Sequence, residues 1–341
     1  MLFDILKVKN ILNDKKLSYP IGVIPLSQNI NSNVLVCDKA IAVEILKSEN
    51  FQVFNYADNK NFNESSENFA KTIISHFSQT PLLLNGMKHI DARKKVLKLY
   101  ELINTDIEFW LEEFTNNYIN NLSQSINDPL IWIDDFIQLI FKKIIANQLN
   151  LSPDEIPALP GALLNETVPH KKIMDPVDAR LKILNDFIAA RYIYMNKDPE
   201  DAWALVSVPV MGYEVLLGSL IYGLRTPPKK DHDWNEHDLL REASALSLLS
   251  RVANKDIELL NFKFHKNQIV FISPFIVNVN SDFEEKNSLE FGYGKKLCPG
   301  KKLSLKITKQ FLKNLYKLAD IKFEFDKTYP ERKFILKYKA K

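Results

Sequence analysis

The sequence predicts a mainly α-helical protein with a minor β portion. Apolar residues recur at helical spacing in residues 106–122 and again in residues 130–149. Residues 202–223 are apolar on every side of a helix, which is typical of a buried central element. The strand-like segments are short, and they lie at residues 21–25, 33–37, 261–275, 321–325 and 334–338.

The remaining elements fit one continuous domain. Further helices are predicted at residues 39–46, 89–99, 179–195 and 301–318, with a helix-like patch at residues 70–77. The predicted breaks are at prolines, namely Pro153, Pro157, Pro160 and the pair Pro227-Pro228. The chain has no linker rich in Ser, Gly or Pro and no internal repeat. We therefore expect a single domain over residues 1–341, with a small β-rich portion near residues 20–40, 255–276 and 320–340 and a helical portion formed by the rest.

Composition narrows the class of protein. Apolar residues make up 46% of 341 residues, enough for a sizeable core, and the net charge of +3 is no argument for nucleic-acid binding. The chain has only Cys37 and Cys298, so it has no disulfide framework, and Cys37 is expected to be buried in a strand. The N-terminal segment lacks both the apolar core of a signal peptide and the ~20 apolar residues of a membrane span. We expect a soluble, cytoplasmic protein.

The segment around Cys298 carries the strongest chemical signal. Residues 291–300 read Phe-Gly-Tyr-Gly-Lys-Lys-Leu-Cys-Pro-Gly. Pro299 and Gly300 open a predicted helix, whose first N–H groups have no partner within the helix and point back at the sulfur. These groups are expected to lower the pKa of the thiol, so that it binds a metal ion as thiolate. The alternative is a buried cysteine beside a turn.

The pattern Phe-x-x-Gly-x-x-x-Cys-x-Gly in these residues resembles the haem-ligand loop of the cytochromes P450. The resemblance implies haem b (iron protoporphyrin IX), with Cys298 as the axial thiolate ligand that favours O–O cleavage. Phe291, Gly294 and Gly300 would shape the loop, and Gly294 would turn the chain where a Cβ would meet the flat ring. The implied fold is that of a soluble, bacterial-type cytochrome P450.

Three further segments, and Lys296 within the loop itself, match this family in the correct order. His89 and Arg93 resemble the His-x-x-x-Arg pair that hydrogen-bonds the haem propionates, and residues four apart on a helix share one face. Arg251 and Lys296 stand where the family carries further propionate partners. Residues 238–241, Asp-Leu-Leu-Arg, take the place of the family's Glu-x-x-Arg. Each match alone is weak, because a His or Arg on a helix is more often a solvated surface residue.

Residues 207–216 fall where the family's central helix crosses the distal face of the haem. The usual pattern there is Ala-Gly-x-Glu/Asp-Thr. In this chain Gly212 and Glu214 match the Gly and the acid, and Val215 stands in place of the Thr. These three residues are the implied catalytic set. Valine is close in shape to threonine but lacks its hydroxyl, so Glu214 would supply protons without an alcohol beside it. The alternative for Glu214 is a buried carboxylate paired with a basic side chain.

Two departures predict a fold reduced in the J-helix and meander regions. Asp238 is one methylene shorter than the usual Glu, and the interval from Val215 to Asp238 is too short for a full connecting helix. No arginine lies between Arg251 and Phe291, where Lys286 is the nearby cation. Lysine cannot replace the bidentate fork of arginine.

Lysines are dense around the cysteine, and in the family this surface accepts electrons from a donor protein. On the predicted helix they recur at spacings of four, three and four, which forms one stripe. The implied partner is an acidic ferredoxin or flavodoxin that docks near Lys295, Lys302, Lys306 and Lys309. The alternative is a solvated lysine face.

Three functions stay open at this point. The first is a monooxygenase that oxidises a small, fairly apolar substrate with O₂, in a pocket built from residues 55–85, 209–216, 246–249 and 272–275. The second is a peroxide-driven or non-oxygenase enzyme (an isomerase, dehydratase or coupling catalyst), because Val215 replaces the alcohol. The third is a non-catalytic haem-binding protein. Residues 152–174 are expected to lie over the pocket entrance.

Overall fold

The computed structural model describes residues 23–26, 33–53, 72, 75–76, 78–122, 129–161, 171–225, 249–279, 289–318, 321–325 and 336–340. The helices are α1 (Lys39–Lys47), α2 (Gly86–Leu122), α3 (Pro129–Leu149), α4 (Lys171–Tyr194), α5 (Ala202–Arg225), α6 (Pro274–Val279) and α7 (Lys301–Leu318). The strands are β1 (Val23–Pro25), β2 (Val34–Val36), β3 (Phe51–Gln52), β4 (Leu249–Ala253), β5 (Ile257–Leu259), β6 (Phe262–Phe264), β7 (Ile269–Ile272), β8 (Ile321–Phe325) and β9 (Leu336–Ala340).

Helix α5 is the centre of the helical portion. It packs against α2, α3, α4 and α7, and its residues Leu205, Val206 and Val208 are fully buried. A 3₁₀ turn at Pro199–Asp201 leads into it, and the side chain of Asp198 caps that turn by accepting a hydrogen bond from the Glu200 N–H at 2.9 Å. A helix buried on all sides was predicted from the sequence. The same stretch is long and apolar enough to cross a membrane, but most of it is buried within this fold.

Helix α7 has one apolar face and one basic face. Leu303, Ile307, Phe311 and Leu315 are buried in the main core, where the ring of Phe311 lies 4.3 Å from that of Phe136, centroid to centroid. This amphipathic spacing buries the helix against α2 and α5. The lysines on its other side remain exposed or half-buried.

The main sheet has five strands in the order β1-β2-β7-β4-β3. Strands β2 and β7 are parallel, with Leu35 opposite Phe271, and the other neighbours are antiparallel. Helix α1 packs on this sheet through Ile41 and Ile45 to form a second, smaller core. Strands β5 and β6 form one separate hairpin, and β8 and β9 form another.

The prediction of a mainly helical protein with a minor β portion is confirmed, with local corrections. Residues 89–99 and 106–122 belong to one continuous helix, because neither Pro nor Gly interrupts residues 100–105. The strand pattern predicted for 261–275 ends at Ile272, because Pro274 opens the short helix α6. Strands β3 and β4 were not predicted. The predicted patch at 70–77 lies mostly outside the described residues.

Candidate functional site

The loop before α7 is held in shape by several backbone hydrogen bonds, two of which are at its ends. The Gly292 N–H donates to the Leu289 carbonyl at 2.9 Å, and the Cys298 N–H donates to the Phe291 carbonyl at 2.7 Å. Gly292 and Gly294 have positive φ values of 76° and 60°. A Cβ on Gly292 would lie 2.9 Å from the Lys296 carbonyl oxygen, so this turn requires glycine there. The motif did not single out Gly292, although a glycine between Phe291 and Gly294 indicates a second turn position in the loop.

Gly294 faces open space. A Cβ built on it would meet no heavy atom within 4 Å. Its positive φ favours glycine for the turn itself. The surface of the loop at Gly294, between Phe291 and Cys298, is therefore open to a bound group.

The sulfur of Cys298 lies at the N-terminus of α7. The backbone N–H groups of Gly300 and Lys301 act on this thiol to lower its pKa, as the sequence predicted. Burial nevertheless raises the pKa of this thiol, while the two N–H groups and the cation of Arg93 act in the opposite direction. The expectation of a lowered thiol pKa is therefore wrong for the chain by itself, because removal from water outweighs the hydrogen bonds.

Four basic side chains converge beside this loop. Arg93 donates from Nη1 to the Leu297 carbonyl at 2.6 Å, and Lys296 donates from Nζ to the Leu84 carbonyl. Arg251, on β4, is 6% exposed and donates to the Ser250 carbonyl at 2.8 Å. His89 is 5% exposed and lies one helical turn before Arg93 on α2. The structure thus brings together the four residues that the sequence singled out for an anionic group.

The electrostatics of this basic cluster (His89, Arg93, Arg251 and Lys296) are unfavourable in the chain by itself. Burial lowers the pKa of Arg251 to about 10. Burial and the cations of Arg251 and Arg93 lower the pKa of Lys296 to about 8. Burial, with Lys296 and Arg93, lowers the pKa of His89 to about 4. Each cation makes its neighbours harder to protonate, so an anion placed among them would relieve the repulsion.

Within the part of the chain that the structure describes, no carboxylate forms an ion pair with this cluster. The hydrogen bonds of Arg93, Arg251 and Lys296 go to backbone carbonyls instead. Buried charges are normally paired, and an anionic group bound here would pair with these cations. A cofactor with acidic groups, a flat body beside Gly294 and a metal ion at the Cys298 sulfur fits this set. The residues present therefore fit haem.

The predicted distal residues lie on α5. Val215 packs against the buried pair Phe291 and Leu305, and Cys298 packs against the same pair. Gly212 faces another helix, since a Cβ on it would lie 2.7 Å from Cζ of Phe141 on α3. Its lack of a side chain thus lets α5 and α3 approach each other closely. The side chain of Glu214 lies outside the described residues.

Other predicted features are described only in part. The predicted reductions of the J-helix and meander lie outside the described residues, and so do Asp238, Arg241 and Lys286. The same holds for most of residues 55–77 and for all of residues 162–170 and 246–248. Ser273 is fully buried, and the side chain of Phe275 is not described.

The lysine surface is partly engaged by acidic residues of the same chain. Lys295 lies 2.7 Å from Glu49 and Lys306 lies 2.7 Å from Glu108, measured between the charged atoms. Lys302 and Lys313 are exposed, and Lys309 is half-buried. The predicted stripe exists on the surface, with its net positive charge reduced by these two acids.

A polar cleft of about 560 Å³ opens near the start of α5, between Thr72, Ser75, His76 and Gln79 on one side and α2 and α4 on the other. His76 and Trp203 line it, together with amide, hydroxyl and charged side chains. His76 is 5% exposed, and its Nε2 lies 3.2 Å from Oγ of Ser207. The Ser207 hydroxyl donates to the Trp203 carbonyl at 2.8 Å, so Nε2 of His76 carries the proton in this contact. The sequence reasoning singled out neither His76 nor this cleft.

Comparison with solved structures identifies the fold. The structure of P450 RauA complexed with a biosynthetic intermediate of aurachin RE matches with a TM-score of 0.73 at 14% identity, covering 100% of this chain and 98% of that chain. P450BioI in complex with an acyl carrier protein ligated to hexadec-9Z-enoic acid matches with a TM-score of 0.68 at 15% identity, covering 91% and 93%. Epothilone D-bound cytochrome P450epoK matches with a TM-score of 0.68 at 14% identity, covering 90% and 89%.

The chain therefore has the cytochrome P450 fold, which confirms the fold that the motifs predicted. The sequence matches no protein-family model and no curated protein.

Proposed function

We propose that the chain is a haem-thiolate oxidoreductase of the cytochrome P450 type, with haem b bound through Cys298. The observation that carries this proposal is the partly buried basic cluster beside the Cys298 loop, whose charges have no acidic partner in the described ranges. Two propionates would offset two of the three positive charges of this cluster (Arg93, Arg251 and Lys296), and the sulfur would bind iron as thiolate. The cytochrome P450 fold supports the same reading.

Each residue has a distinct part in holding the cofactor. Arg93, Arg251, Lys296 and His89 would bind the propionates through charge-assisted hydrogen bonds. The loop glycines Gly292 and Gly294 would let the backbone run close to a flat ring, and Gly300 would donate its N–H to the sulfur. Haem bound in this way supplies the oxidative chemistry, which the electron density of a thiolate ligand favours.

The chain's own contribution to a reaction lies on α5. Gly212 lets that helix pack against α3, and Val215 presents an apolar surface towards the Cys298 loop. Glu214 is the acid we assign to proton delivery, acting without the alcohol that accompanies it in the family pattern. A water held by Glu214 would then replace that alcohol.

The preferred reaction is oxidation of a small molecule with O₂ and electrons from a ferredoxin or flavodoxin in the cytoplasm. The matched structures hold small molecules or a carrier-bound fatty acid, which supports a small, fairly apolar substrate. The exposed Lys302 and Lys313 offer a basic surface to an acidic donor. Lys295, Lys306 and Lys309 lie on the same surface and would exchange their present contacts for the donor's carboxylates.

A second candidate is favoured by Val215. Because it has no hydroxyl, a reaction that needs no controlled protonation of bound oxygen would suit this site equally well. Peroxide-driven oxidation, isomerisation, dehydration and coupling are such reactions.

Turnover measurements separate the two candidates. The haem-loaded protein is first screened for ligands that shift the ferric spin state, and a ligand found in this way is then supplied with NADH and a surrogate ferredoxin pair, or with hydrogen peroxide alone. Oxygenated product in the first reaction supports the monooxygenase. Full activity with peroxide alone would reject it in favour of the second candidate.

A further inference from the structure

We propose that the polar cleft at the start of α5 binds an uncharged, hydroxyl- or amide-bearing end of the substrate, whose apolar remainder extends along α5 towards the Cys298 loop. This inference rests on the proposed haem-thiolate function and adds a chemical class of substrate, an amphiphile with a neutral polar end. The cleft holds about 560 Å³, a volume typical of sites for small molecules.

The lining of the cleft is rich in neutral hydrogen-bonding groups. Two hydroxyls and two amides line it, from Thr72, Ser75, Gln79 and Asn185. Each of these groups can both donate and accept a hydrogen bond, so they suit a ligand whose own groups do the same, such as a sugar, a polyol or a primary amide. Trp203 adds an aromatic surface, which suits the apolar face of such a ligand.

The charged groups at the cleft are already engaged within the chain or exposed to water. Lys95, the cation of the described lining, forms an ion pair with Asp201. The side chain of Asp198 caps its 3₁₀ turn by accepting from the Glu200 N–H at 2.9 Å. Glu200 is exposed, where water and salt screen its charge. An anionic ligand would therefore compete with Asp201 for Lys95, and a cationic ligand would gain only a screened attraction.

The inner end of the cleft is formed by its buried lining residues, His76, Leu181 and Trp203. His76 is 5% exposed, and its Nε2 lies 3.2 Å from Oγ of Ser207, one helical turn after Trp203. Burial lowers the pKa of His76 to about 4, so this end of the cleft is uncharged at neutral pH. A neutral polar group can therefore approach it without meeting a buried charge.

Helix α5 leads from this inner end to the Cys298 loop. Met211 and Val215 are only partly buried, and Val215 packs against the same two residues as Cys298. Val215 follows Ser207 by eight residues, which is about 12 Å along the helix axis. A ligand with its polar end in the cleft and an apolar part of this length would reach Val215. Such a ligand passes the contact between His76 and Ser207, so that contact opens when it binds.

The test measures the binding of three probes that share one octyl-length chain to the haem-loaded protein. The probes are n-octyl β-D-glucoside, octanoate and octyltrimethylammonium, each below its micelle-forming concentration, and the quaternary ammonium has no lone pair with which to ligate iron. The readouts are the affinity from calorimetry and the shift in ferric spin state. We expect the glucoside to bind most tightly of the three and to shift the spin state.

Asn185→Leu removes one amide from the lining at similar side-chain size. We expect the affinity for the glucoside to fall roughly three- to tenfold, which is the effect of one neutral hydrogen bond, with little change for the two charged probes. Asn116→Leu is the matched control, because Asn116 is also half-buried on a helix but lies on α2, outside the described lining of the cleft. It should leave all three affinities unchanged.

Tighter binding of either charged probe, no binding of the glucoside, or equal losses in the two Asn variants would overturn the neutral polar site. Binding of the glucoside without a shift in spin state would overturn the placing of its apolar end near the iron. A wild-type protein without a thiolate-type spectrum would overturn the proposed function. The calorimetric comparison of Asn185→Leu with Asn116→Leu does not depend on the iron, so it distinguishes that failure from a failure of the cleft.

Discussion

Replacing Arg251 by methionine should stabilise the haem-free chain while weakening its affinity for haem. Arg251 is 6% exposed, its Nη1 donates a hydrogen bond to the Ser250 carbonyl at 2.8 Å, and burial lowers its pKa to about 10. Both folded and unfolded chains carry this charge at pH 7, so the lowered pKa measures what the folded chain loses by burying it. That loss is about 3 kcal/mol, taking 1.36 kcal/mol for each pKa unit.

Methionine has a similar reach and no charge, so it removes this cost together with one charge-assisted hydrogen bond worth about 1.5–3 kcal/mol. The net expectation is a gain of up to about 1.5 kcal/mol in the free energy of unfolding of the haem-free protein at pH 7. The same change removes one charge-assisted contact to a propionate, worth about 1.5–3 kcal/mol. Haem affinity should therefore fall roughly ten- to a hundredfold.

The assay pairs urea unfolding of the haem-free protein with a haem titration followed at the Soret band. Lys302→Met is the matched control, because Lys302 is exposed on α7, and it should leave both quantities unchanged. A destabilised Arg251→Met protein with unchanged haem affinity would refute the reasoning, since Arg251 would then be a structural cation with a partner of its own.

Three further predictions address other parts of the chain. Gly292→Ala should cost about 1–2 kcal/mol for its left-handed backbone, and its Cβ would also lie 2.9 Å from the Lys296 carbonyl oxygen. It should therefore lower the unfolding free energy and haem retention more than the control Gly161→Ala, whose φ is also positive but whose Cβ would meet nothing within 4 Å. Equal losses in the two variants would contradict this. His76 prefers its neutral form, since burial lowers its pKa to about 4; the unfolded chain therefore takes up a proton first, and stability should fall by up to about 3 kcal/mol as the pH drops from near neutral to that value. Urea unfolding between pH 7 and pH 4 checks this, and a His76→Gln variant with an undiminished pH dependence would assign the effect to other groups, such as His89. Val215→Thr should leave haem binding intact and raise the product formed per NADH consumed; unchanged coupling would favour the reactions that need no alcohol.

Local periodicity was enough to predict the two helices that frame the site. The sequence predicted Lys301–Leu318 with the bounds seen in the structure, because its apolar residues recur on one face and lysines occupy the other. Helix α5 was predicted to within a turn at its end, because its uniform apolar character persists from Ala202 to Gly223.

Pairing between distant segments was not readable in the same way. Strand β4 was missed, because it pairs with β7 about twenty residues later and with β3 about two hundred residues earlier, and neither pairing shows in a local pattern. Arg251 was nevertheless singled out, through its spacing from the predicted Asp-x-x-Arg segment. The family pattern thus located a residue whose strand the local pattern did not show.

The electrostatics of the site could be predicted only in part. The motif indicated the N–H groups of Gly300 and Lys301 at the Cys298 sulfur, and the structure has them. The net raised pKa of this thiol depends on burial, which is a property of the packed loop and not of its sequence. The polar cleft at the start of α5 likewise joins segments that are far apart in sequence and follows no local pattern.

Haem-thiolate ligation by Cys298 is tested most directly by the carbon monoxide difference spectrum of the reduced protein, recorded for wild type and Cys298→Ala after expression with ample haem precursor. We predict a thiolate-type Soret band in the wild type and its loss in Cys298→Ala. A colourless wild-type protein, or the same spectrum from both proteins, would contradict thiolate ligation by this residue.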